Sequence, residues 1–183
     1  MRQILLICLS LGAAPLALAG EWFSTTAGAC AEGPTAQFGR YVGDWKITDQ
    51  VLQQDGRTWA DGKGARWVFQ CVGEGIAVQD FWMPNGGGFG TNLRRYNTER
   101  EVWEIVWAAG PVPGLSRIEA RQRDDGSLLM DILTPKSTPP RRIIFFTPDD
   151  GGWNWVQQMS FDDGTTWTDV YKIRATPWSD DLE

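Results

Sequence analysis

From residue 40 to residue 174 the chain repeats one pattern about every ten to fifteen residues: a short stretch rich in β-branched and aromatic residues, then a cluster of Gly, Pro, Asn or Asp. No long segment has helical spacing. This rhythm predicts an all-β fold, with strands over residues 40–49, 65–72, 75–83, 88–97, 100–109, 115–123, 127–133, 141–147, 153–161 and 166–174. The links between them, among them "PNGGG", "GPVPG", "TPKSTPP" and "TPDDGG", are turn chemistry. Ten strands on short links make a meander, which closes most easily into an up-and-down antiparallel β-barrel.

Alternate side chains along a strand face opposite sides of the sheet, so parity assigns faces. Tyr41, Trp45 and Ile47 share one face of the first strand. Trp103, Ile105 and Trp107 align in "WEIVW", and Trp153, Trp155, Gln157, Met159 and Phe161 in "WNWVQQMSF". Trp167, Asp169, Tyr171 and Ile173 align in the last strand. One face of the sheet is therefore expected to be aromatic. Of the 11 tryptophans, most are assigned to packing, with Trp82, Trp103, Trp107 and Trp155 expected at a cavity beside Arg95, Gln157 and Tyr171.

Met1 and Arg2 precede the apolar run "ILLICLSLGAAPLALA", which ends in Ala17-Leu18-Ala19. A charged start, an apolar core and a small-x-small exit form a secretory signal, expected to be cleaved near Gly20. Residues 1–19 would then be the signal, 20–37 an N-terminal segment, 38–175 the barrel and 176–183 a tail. The expected location is periplasmic or secreted, and no later stretch has the apolar length of a membrane helix. Cleavage would discard Cys8 and leave Cys30 and Cys71, an even pair in an oxidising compartment. A bridge between them would close a loop of roughly 40 residues and contribute about 4 kcal/mol in the chain-entropy view. The chain is acidic, 23 Asp and Glu against 17 Lys and Arg. Such a surface repels phosphate backbones, so no nucleic-acid partner is expected.

There is no histidine in the chain. Its absence removes Ser-His-Asp and Cys-His nucleophiles, histidine-ligated haem and nearly all catalytic zinc sites. No metal and no cofactor is expected. The three "DDG" segments read as turns, and "NGGGFG" matches no phosphate-binding glycine pattern, so a mobile loop at a barrel mouth is the simpler reading. "SFDDGTTW" fits the Ser-x-Asp-x-Gly-x-x-Trp pattern known as the Asp box of sialidases. A single copy, in a chain far smaller than a sialidase propeller, reads as a hairpin in which Ser160, Asp162, Gly164 and Trp167 are turn residues.

"YVGDWKI" carries Gly43-Asp44-Trp45, which resembles the Gly-x-Trp of the first strand of lipocalins and their calycin relatives. "LRRYNTEREVWEIVW" and "DDGTTWTDVYKIRA" resemble further sections of an uncharacterised, often exported bacterial lipocalin-like family. The resemblance spans roughly residues 38 to 175. It implies a ligand-holding barrel in which Trp45 plugs one end, covered by Arg174.

Two carboxylates fall on the apolar parity, Asp80 beside Trp82 and Asp169 between Trp167 and Tyr171. They are the candidates for a general acid and base, against internal salt bridges or a register shift that turns either acid to solvent. Three functions remain open at this stage. The chain would bind a hydrophobic or aromatic small molecule, act as a cofactor-free lyase, isomerase or cyclase, or serve as a carbohydrate- or envelope-associated module. Oligomeric state is not set by the sequence.

Overall fold

A computed structural model describes residues 23–111 and 113–179. The expected signal, its cleavage site and the last residues of the tail lie outside the described residues. Among the described residues twelve antiparallel strands run β1 (Phe23–Ser24), β2 (Gly43–Leu52), β3 (Trp59–Asp61), β4 (Ala65–Val72), β5 (Ala77–Pro84) and β6 (Phe89–Asn97). They continue as β7 (Val102–Gly110), β8 (Leu115–Gln122), β9 (Leu128–Thr134), β10 (Arg141–Phe145), β11 (Trp153–Met159) and β12 (Thr168–Pro177).

Ten of these strands form the barrel. Strands β4 to β12 pair in sequence, and β2 closes the ring by bonding β12 on one side and β4 on the other. All ten expected strands are present, and the short β1 and β3 sit outside the ring. Strand β2 divides its length: Gly43 to Ile47 pair with β4, while Gln50 to Leu52 pair with the β3 arm.

Inward parity holds in most strands. Trp67, Phe69 and Cys71 of β4, Ile118 and Ala120 of β8, and Trp153 and Trp155 of β11 are all buried. Phe145 stacks on Trp153 at 5.4 Å, and Tyr41 meets both edge-on at 5.2 Å. Rings packed in this way add about 0.5–1.5 kcal/mol per pair beyond the area they bury.

The segment before β2 closes one end. Two 3-10 turns and the short helix α1 (Ala36–Gly39) lie across the barrel, and a disulfide joins Cys30 to Cys71. Gly39 permits the crossing, since a Cβ there would lie 1.8 Å from the Cys30 carbonyl oxygen. Phe38 is fully buried beneath the turn, against Trp103 at 4.9 Å and Phe145 at 5.5 Å. Polar bonds fix the rim of this plug. Trp103 Nε1 donates to Gln37 Oε1 at 2.9 Å, and the Tyr41 hydroxyl donates to the Phe146 carbonyl at 2.9 Å.

Four expectations about inner-face residues are corrected. Trp103 packs under the plug, between Phe38 and Tyr96, away from the cavity that Trp82, Trp107 and Trp155 line. Trp45 donates its N–H to the Tyr41 carbonyl at 2.8 Å and meets Trp153 edge-on. Arg174 does not cover it: that guanidinium forms a two-pronged pair with Asp149, both contacts at 2.7 Å. Arg95 is exposed, because β6 turns Arg94 inward instead.

Asp169 is the fourth. Strand β11 pairs Gln157 with Tyr171 but Gln158 with Asp169, so Val170 forms a β-bulge. The extra residue reverses parity, as bulges do. Gln157 and Tyr171 stay inside while Asp169 faces outward, accepting from Gln158 Nε2 at 2.7 Å, with Lys172 at 3.7 Å.

The "SFDDGTTW" segment is a hairpin turn, as its pattern indicates. Asp162 accepts from the Thr166 backbone N–H at 2.8 Å and from the Thr166 hydroxyl at 2.7 Å. Ser160 Oγ accepts from the Gly164 N–H at 2.6 Å. Trp167 lies against Arg142, whose guanidinium sits 4.1 Å from the ring centroid.

Candidate functional site

The plug occupies the end where β2 begins and β12 finishes. Toward the opposite end the inward side chains enclose a cavity of about 400 Å³. Pockets of this size hold one small molecule. Its walls are Trp67, Trp82, Trp107, Trp155, Tyr171 and Phe145, with Ile118, Met130, Ile132, Ile143 and Ile173 between them.

These rings are positioned by specific neighbours. Trp67 and Trp82 meet edge-on at 5.0 Å across the β4–β5 pair, and Trp155 meets Tyr171 edge-on at 5.6 Å across β11–β12. Trp107 lies over Gly90, where a Cβ would come within 2.0 Å of its Cη2 atom. Glycine at that position lets the indole come close to the β6 backbone. Tyr171 is tethered through its hydroxyl, which donates to Asp49 Oδ2 at 2.7 Å, while Asp49 Oδ1 accepts from the Gly64 N–H at 2.8 Å. Burial, reinforced by the Asp49 carboxylate, raises the Tyr171 pKa above the ordinary phenol value.

The floor is polar. Arg94 is fully buried and ion-paired with Asp80, which is equally buried. Asp80 also accepts from the Asn92 backbone N–H at 3.0 Å and from Asn92 Nδ2 at 3.0 and 3.2 Å. The Arg94 guanidinium stands 4.9 Å from the Phe38 ring and 5.1 Å from the Phe69 ring, at the boundary between plug and cavity. Burial pulls its pKa down and Asp80 pushes it back up. The pair is thus a neutral, hydrogen-bonded unit inside an aromatic shell.

Of the residues expected at a ligand site, Trp82, Trp107, Trp155, Gln157 and Tyr171 converge on this cavity. Asp80 faces inward but stands behind Arg94, both oxygens engaged, and does not line the space. Residues that parity reasoning passed over include Trp67, Asn92, Arg94, Ser116 and Arg141. Strand β6 explains the most consequential of these. It is inverted, with Phe89 and Leu93 exposed while Asn92 and Arg94 are buried. A strand that turns its apolar residues out and its polar ones in is the signal that marks the site.

Among the described residues no group of three or more acidic or Cys side chains could hold a metal ion. None of their helices is long and apolar enough to cross a membrane. No protein-family model matches the chain, and no curated protein matches it.

Proposed function

We propose that this chain is an exported, lipocalin-like carrier that holds one small hydrophobic or aromatic molecule in its barrel without transforming it. The observation that carries this reading is the cavity of about 400 Å³, walled by six aromatic rings and floored by a neutralised ion pair. Apolar walls with a few fixed polar groups are the usual make-up of a small-molecule site. The Cys30–Cys71 disulfide supports placement in an oxidising compartment, periplasmic or extracellular. The ten-strand meander and the Gly43-Asp44-Trp45 segment support the lipocalin-like affiliation.

The geometry favours binding over catalysis. A general acid and base must reach a bound substrate, whereas Asp80 is held by Arg94 and Asn92 and Asp169 faces outward. A carbohydrate platform would need exposed indoles. Among the described residues Trp178 is the exposed tryptophan, and Arg66 stacks on it at 4.7 Å.

Titration with a library of aromatic and lipophilic compounds, read by tryptophan fluorescence, tests the proposal, because four indoles line the space. Saturable quenching at micromolar concentrations is expected, together with a one-to-one complex in native mass spectrometry. A library that changes neither signal overturns it.

A further inference from the structure

The floor of the cavity holds hydrogen-bond donors with no acceptor. Arg94 spends Nη2 on Asp80, yet its Nε and Nη1 atoms are buried and find no partner among the described residues. Trp67 Nε1, on the adjoining wall, is likewise buried and unpartnered. Buried donors are ordinarily satisfied, and an unmet one carries the full desolvation penalty of the group. Guanidinium and indole are also donor-only, so neither can be satisfied by another N–H. An acceptor brought in beside them would satisfy donors that no described residue satisfies.

Charge narrows the choice further. Among the described residues no carboxylate lines the cavity, although the chain as a whole has a net charge of −6. The formal charge of Arg94 is already cancelled by Asp80, so an anionic head placed there would bury a net charge. A neutral acceptor would not. At the mouth the balance differs, since Arg141 lines the cavity, is exposed, and forms no ion pair among the described residues.

Resting on the carrier reading above, we infer that the ligand is a flat apolar molecule that enters carbonyl first. A neutral ketone-type or quinone-type oxygen accepts from Arg94 and Trp67 at the floor. The rings of the ligand lie among Trp82, Trp107 and Trp155. Arg94 and Trp67 are therefore specificity-determining residues, and an anionic group on the ligand belongs at its trailing end, beside Arg141.

Four probes sharing one ring system test this: 2-acetylnaphthalene, 2-ethylnaphthalene, 2-naphthoate and 1-(2-naphthyl)ethylamine, titrated into the whole protein and read by fluorescence and calorimetry. The ketone is expected to bind at least about tenfold more tightly than the hydrocarbon, the worth of one net hydrogen bond to a buried donor. The naphthoate is expected to bind more weakly than the ketone, and the amine weakest. Replacing the floor pair together, Asp80→Leu with Arg94→Met, should abolish the preference for the ketone while leaving the hydrocarbon bound. Trp67→Phe, which keeps the ring and removes one donor, should reduce the preference severalfold even if the double variant does not fold. Equal binding of ketone and hydrocarbon, or tightest binding by the naphthoate, overturns the inference and leaves the carrier reading standing. Binding by none of the four overturns both.

Discussion

Arg94 and Asp80 face one another at the centre of the barrel as an ion pair with no solvent exposure on either side chain. Such a pair is costly to desolvate and is held by geometry and by additional hydrogen bonds, here from Asn92 to Asp80. Its value to the fold is therefore asymmetric. Keeping both charges or removing both is tolerable, but leaving one alone is not.

Asp80→Asn should accordingly destabilise the protein by about 3–5 kcal/mol, because it strands a buried guanidinium. The paired replacement Asp80→Leu with Arg94→Met should fall within about 2 kcal/mol of the wild type, since apolar groups of similar volume often substitute for a buried pair. Urea denaturation of the three proteins checks the ordering. A single variant as stable as the double would show that the charges are not coupled.

The plug depends on a covalent tie. Cys30 and Cys71 are 41 positions apart, so replacing both with Ala should lower stability by about 4 kcal/mol, less whatever order the unfolded chain retains. Hydrogen exchange should report faster opening around Phe38 and Tyr41 than in the barrel strands. Uniform acceleration across the barrel would show that plug and barrel unfold as one unit.

Gly90 keeps the wall of the cavity open. Gly90→Ala would place a methyl 2.0 Å from the Trp107 ring and force the indole to move. An overpacking cost of about 1–3 kcal/mol is expected, with a shifted fluorescence maximum and weaker binding of aromatic probes. Unaltered fluorescence and binding would mean that Trp107 does not frame the site.

Acid stability should follow two exposed carboxylates. Arg174 beside Asp149 lowers that carboxyl to about 2, and the Thr166 backbone and hydroxyl lower Asp162 to about 2. Each folded value lies below the ordinary carboxylate value. The stability they contribute is thus fully present above about pH 4 and is lost as pH falls toward 2. Asp149→Asn and Asp162→Asn should each flatten the fall in thermal midpoint between pH 4 and pH 2. Added salt should weaken the Asp149 effect more, since that pair is ionic and at the surface.

At the alkaline end, burial raises Tyr41 to about 12, above the ordinary phenol value near 10. A folded pKa above the unfolded one favours the folded state below pH 10, and that contribution is lost as pH rises through 12. Ultraviolet titration should find Tyr41 and Tyr171 un-ionised at pH 11, and Tyr41→Phe should lessen the alkaline loss of stability. Ionisation of all three tyrosines near pH 10 would show that neither ring is enclosed.

The ten strands, their turns and the aromatic inner face were legible in the chain itself, because each rests on local chemistry, and the Cys30–Cys71 bridge was legible because only two cysteines follow the expected signal. Turn residues act within four positions, and side-chain alternation is built into an extended backbone. The tertiary structure alone decided which of two adjacent arginines faces inward, that a bulge at Val170 turns Asp169 outward, and that Arg174 answers Asp149 rather than Trp45. Hydrophobic parity would have placed Leu93 inside and Arg94 outside. The opposite holds because Arg94 finds Asp80 across the β5–β6 hairpin and the Phe38 ring of the plug, a partner 56 positions away in the chain that it meets only once the plug has packed into the barrel.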